Sequence, residues 1–90
     1  MMRACTRTMV EAAKEDIKRG IELFRSHARS QRFMISLRKL RIWYPPVRKY
    51  PTIVAAKALK ELMENEYRKD VVELWYGKAS KTNYRYILKK

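Results

Sequence analysis

Residues 70–90, DVVELWYGKASKTNYRYILKK, close the chain, and the way they are read settles the fold class. Asp70 has the side chain of a helix N-cap, VVELWY supplies a short apolar run behind it, and Gly77 stands where such a helix would stop. On that reading the stretch after Asp70 is a last, short helix. Beyond it Tyr84, Tyr86 and Leu88 alternate, so residues 78–90 are expected as an extended tail docked on the remainder. No hairpin signal stands out.

Upstream, Val10, Ala13, Ile17, Ile21, Phe24 and Ala28 recur at the three-and-four spacing of one helical face, with Thr6 or Thr8 as cap and Glu11 in the first turn. Gly20 costs this helix about 1 kcal/mol unless another part of the chain packs closely there. The stripe loses phase at residues 29–32 and resumes as Met34, Leu37 and Leu40, with Ile35 and Ile42 beside it, which means one drifting helix or two. Pro45, Pro46 and Pro51 make residues 44–51 a connection. Thr52 then caps a helix over residues 53–69 whose apolar face is Val54, Ala55, Ala58, Leu59, Leu62 and Met63. Together these pieces predict an all-α fold: a three- or four-helix bundle in one domain, residues 1–90, with a basic arm at residues 1–9, the Pro-rich connection at 44–51 and the tail at 78–90.

A core of this size stabilises a fold only marginally, so a partner is expected. The chain has 90 residues, 47% of them hydrophobic, and its 22 Lys+Arg against 9 Asp+Glu leave a formal charge of +13. Charge of that density speaks of polyanions, acidic proteins or anionic lipid surfaces. One cysteine, Cys5, and one histidine, His27, exclude a disulfide framework or a zinc site within the chain. No nucleophile, base and orienting group are brought together by a motif, so no catalytic residue, metal or cofactor is expected. No apolar run reaches the length of a transmembrane helix. The opening MMRACTRTMV has the composition of a mitochondrial targeting segment, here one that is retained.

From Arg25 to Lys60 ten basic residues run without an acidic one. Arg25, Arg29 and Arg32 share one helical face, Arg38 and Arg41 repeat the spacing, and Trp43 and Tyr44 add aromatic surface. Such a run is either a solvated face or a partner-binding surface for carboxylates or phosphates, to which the arginine fork is suited.

Leu23-Phe24-Arg25 resembles the tripeptide that names the LYR-motif family of small, basic mitochondrial helical proteins, with Phe24 in place of the tyrosine. ELMENEYRKD then supplies Leu62, Asn65 and Asp70 at the places of the family's later motif. The resemblance implies a non-catalytic accessory or assembly subunit of a respiratory-chain complex, of the complex I type, in the mitochondrial matrix or on the matrix side of the inner membrane. It further implies that Leu23, Phe24 and Leu62 belong to the core or motif, that Arg25 meets an acidic partner such as an acyl carrier protein, and that an acyl chain enters the bundle. Two other classes stand beside it. A mitochondrial ribosomal protein would set the same arginines on rRNA phosphates and stack Trp43, Tyr44, Tyr84 or Tyr86 on bases. A peripheral membrane contact would use RFMISLRKLRIW as a basic amphipathic stretch.

Overall fold

The N-terminal periodicity folds as the helix it predicts, α1, Arg7–His27. The computed structural model describes residues 7–76 and 84–90; residues 1–6 of the expected arm with Cys5, the expected helix stop Gly77, and residues 78–83 of the expected tail lie outside them. Val10, Ala13, Ile17 and Ile21 are buried along one face of α1, and Phe24 and Ala28 pack against the core edge. Gly20 shares that face. A Cβ there would lie 2.9 Å from Cδ2 of Leu40 and 3.0 Å from the Tyr44 ring, so the close approach is made by side chains.

After His27 the chain turns over residues 28–31 and enters strand β1, Arg32–Ser36. Ser36 ends the strand in extended backbone and caps helix α2, Leu37–Trp43, its Oγ accepting from the Lys39 amide at 3.1 Å. The expected stripe from Met34 to Leu40 is therefore two patterns end to end: Phe33 and Ile35 bury at period two, Leu37 and Leu40 at helical spacing. The Pro-rich connection is a 3-10 turn, Pro45–Lys49, that buries Val47. Helix α3, Thr52–Glu64, follows and buries the predicted face, Val54, Ala55, Ala58, Leu59, Leu62 and Met63. Pro51 holds the cap position, and Thr52 is the first helical residue.

Strands β2, Val71–Tyr76, and β3, Tyr84–Lys89, complete an antiparallel sheet of order β1-β3-β2. The all-α expectation is thereby overturned: three helices and a three-stranded sheet make an α+β protein. Val71, Val72, Trp75 and Tyr76 are β-branched or aromatic, and a six-residue helix cannot hold itself in water, whereas a ladder to β3 satisfies the same backbone. Residues 84–89 are extended, as the central strand of the sheet. Phe33 and Ile35 stand opposite Leu88 and Tyr86, and these four side chains form the inward face over α1 and α3.

Asp16, on the buried side of α1, accepts a hydrogen bond from the Tyr50 hydroxyl at 2.6 Å and pairs with Lys49 Nζ at 3.1 Å. It fastens the end of the 3-10 turn, and with it the start of α3, to the middle of α1. The Tyr50 hydrogen bond, opposed by burial and helped by Lys49, holds the Asp16 carboxyl below the ordinary aspartate range. A carboxyl that titrates below its unfolded value of about 3.9 contributes stability present above that value and lost as pH falls through its folded pKa. The wild-type protein is therefore expected to lose more stability than Asp16→Asn between about pH 5 and pH 3. Asp16→Ala, which strands the buried Tyr50 hydroxyl, should cost on the order of 1–3 kcal/mol near neutrality. Thermal or urea unfolding across pH measures both.

Candidate nucleic-acid interface

Helices α2 and α3 form a two-helix unit whose joint is organised by arginines. Arg48, in the 3-10 turn, donates through Nη2 to the Ile42 carbonyl at 3.0 Å and through Nε to that of Arg41, meeting carbonyls at the negative end of α2. Arg41 Nη1 donates to the Thr52 hydroxyl at 3.0 Å and so ties the last turn of α2 to the first of α3. A helix-turn-helix joint is usually three or four residues. Here residues 44–51 are longer, and the extra length is taken up by the 3-10 turn.

Opposite its buried face, α3 presents Ile53, Lys57, Lys60 and Glu64 to solvent, with Ala56 half-buried between them. Ile53 is 61% exposed, unusual for a branched apolar side chain on a helix whose other face is fully packed. An open depression lined by Ala56, Lys57, Lys60, Glu61, Glu64 and Tyr84 links this face to the start of β3.

The charges are partitioned. Glu61 pairs with Lys14 at 2.7 Å and Arg7 at 2.6 Å, and Glu66 with Lys18 at 3.0 Å, which places these acids against the cations of α1. The Lys14 contact holds the Glu61 carboxyl below its ordinary range, and Glu61 in turn raises Lys14. Arg38, Arg41, Arg48, Lys57 and Lys60 form no ion pair among the described residues. In the joint only Lys49 is ion-paired among the described residues, with Asp16, and the unpaired cations of α2, the joint and α3 are joined by Arg29, Arg32, Arg68 and Lys69 elsewhere on the surface.

No protein-family model, curated protein or solved structure matches this chain. Among the described residues no group of His, Cys, Asp and Glu could hold a metal ion, and no helix is long and apolar enough to cross a membrane.

The arginines expected to share a face are separated, because the chain turns between Arg25 and Arg32. Arg25 is held inside the fold: Nη2 donates to Asp70 at 3.1 Å, Nε lies 3.8 Å from Glu22, and the guanidinium stands over the rings of Phe33 and Tyr67. Arg29 and Arg32 are exposed, with Arg32 opposite Lys89 at the sheet end remote from the β2–β3 hairpin connection. Arg38 and Trp43 of α2 line one depression, Trp43 being 68% exposed, whereas Arg41 turns to Thr52 and Tyr44 is half-buried against Gly20. Leu23 is exposed, Phe24 half-buried beneath Lys39 Nζ at 4.7 Å, and Leu62 buried. Asn65 donates to the Glu61 carbonyl and closes α3. Ile53, Lys57, Lys60 and Arg48 were not singled out from sequence; the available signal was a lysine pair on the polar face of the helix that follows three prolines.

Stability separates the two kinds of arginine. Arg25→Ala should cost about 1–3 kcal/mol, because Asp70 loses a half-buried partner and two rings lose a cation. Arg38→Ala should stay within about 0.5 kcal/mol of wild type in the same unfolding experiment.

Proposed function

We propose that the protein binds double-stranded DNA as a winged helix-turn-helix, with α3 laid in the major groove and the β2–β3 hairpin beside it. The observation that carries this reading is the exposed face of α3, a cationic and apolar strip on an otherwise packed helix, flanked by the arginine-organised joint. The order helix, strand, helix, helix, strand, strand, with β3 between β1 and β2, is the winged arrangement and supports it. The major groove is about 12 Å wide and admits one α-helix, and such a recognition helix touches base edges with its N-terminal residues. Of the two acids beside this face, Glu61 is taken up by Lys14 and Arg7, and Glu64 sits in the last turn, away from those residues. Arg38, Arg41 and Arg48 supply cations for the phosphates on either side. This rests on fold-level likeness together with the site's own chemistry.

The accessory-subunit expectation gave Arg25 to an acidic partner. Asp70 already occupies that guanidinium, which favours the nucleic-acid reading. The ribosomal alternative uses the same cations and is distinguished by the ligand.

Fluorescence anisotropy with a labelled duplex of about 20 base pairs and random sequence tests the proposal, since log affinity falls with log salt by about 0.9 per phosphate contact. Replacing Lys57 and Lys60 by Ala should weaken binding and lower that slope by up to about 2. Absence of duplex binding at about 50 mM salt overturns the proposal. If single-stranded RNA of equal length displaces the duplex, the rRNA reading takes its place.

A further inference from the structure

The reading face of α3 is chemically narrow. TIVAAKALKELME contains no arginine, asparagine or glutamine, so the helix has none of the side chains that grip guanine or adenine with a two-pronged arginine or amide contact. In the first two turns its outer face offers Ile53, 61% exposed, the half-buried Ala56, whose methyl also packs against the core, and the Lys57 ammonium. Ile53 and Ala56 lie three residues apart, and so side by side. Thr52, the remaining polar group of the first turn, already accepts from Arg41.

One feature of a base pair's major-groove edge is apolar: the C5 methyl of thymine. We infer that Ile53, seconded by Ala56, makes the protein a reader of thymine methyl groups in duplex DNA, with the lysines anchoring phosphates or a neighbouring guanine. This inference rests on the major-groove reading proposed above and gives that site its ligand chemistry. An exposed isoleucine that costs solubility in the free protein then has a counterpart of its own kind in the complex. The same chemistry favours DNA over RNA twice: uracil lacks the methyl, and the A-form major groove is too deep and narrow for the helix.

Deleting the methyl from the DNA, and the isoleucine from the protein, tests the contact from both sides. The probes are a random-sequence duplex and the same duplex with every thymine replaced by uracil, compared by anisotropy at one salt concentration. Wild type is expected to prefer the thymine duplex roughly fourfold for each methyl covered, the factor that burial of one methyl-sized group gives. In Ile53→Ala that preference should shrink towards one, and helix content measured on the same sample shows whether the variant is folded. An alternating guanine–cytosine duplex should gain affinity for wild type when its cytosines carry a 5-methyl group, which occupies the same place in the groove. Equal, salt-dependent binding of thymine and uracil duplexes overturns methyl reading and leaves DNA binding standing. A preference that Ile53→Ala retains overturns the role of Ile53. Failure to bind any duplex overturns both readings.

Discussion

Strand β3 holds the fold together, because it is the only strand of the sheet that both others touch. Without it β1 and β2 have no ladder, and strands of five or six residues do not stand alone in water. Its register also sets the helices. Phe33 and Ile35 face Leu88 and Tyr86, which turns the apolar side of β1 to the core, and the last residue of β1, Ser36, opposite Arg85, is the cap from which α2 starts. A slip of one residue would turn every core side chain of β3 outward and move the α2 cap with it. The position of the two-helix unit is thus a consequence of how the last six-residue strand pairs.

Charge follows the same division of labour. A chain with this excess of cations repels itself, and the fold lowers the cost by gathering Glu61, Glu66, Asp70 and the acids of α1 around the α1 cations. Among the described residues the cations left unpaired include Arg38, Arg41, Arg48, Lys57 and Lys60 on α2, the joint and α3, and also Arg29, Arg32, Arg68 and Lys69 elsewhere. The acids serve to stabilise the body, and part of the surplus is left on a face that a polyanion can neutralise. Asp16 belongs to both halves: buried in α1, it draws Lys49 and Tyr50 inwards and so fixes where the joint that carries Arg48 ends and α3 starts.

The helices were legible because each has a long one-sided pattern: six predicted core residues of α3 are buried, and α1 ends where its stripe loses phase. The sheet was not legible, for reasons specific to its residues. VVELWY sits between a helix cap and a glycine, and five apolar residues around one glutamate do not distinguish the two periods. Phe33-Met34-Ile35 abuts Leu37 without a loop, so a strand and a helix merge into one apparent stripe. Only Tyr84, Tyr86 and Leu88 showed period two, and the partners that make them a strand lie some fifty residues earlier in β1 or across the hairpin. The basic run from Arg25 onward was legible as charge and not as a site, since sequence order cannot show that Asp70 takes Arg25 while Lys57 and Lys60 go free.

Arg41 and Arg48 show why charge alone misleads about such a surface. Both are cations of the exposed joint, yet each spends hydrogen bonds on the backbone or hydroxyl groups that fix the angle of entry into α3. Their donors are divided between structure and solvent, and their positive charge is undiminished because the acceptors are neutral. Replacing either would disturb the joint and the surface potential together. Lys57 and Lys60 stand on the solvent side of a helix whose opposite face is held by six buried residues, and among the described residues Lys57 acts only through its field on Glu61. The lysines of α3 therefore report on the ligand, and the arginines of the joint report on the geometry that presents it.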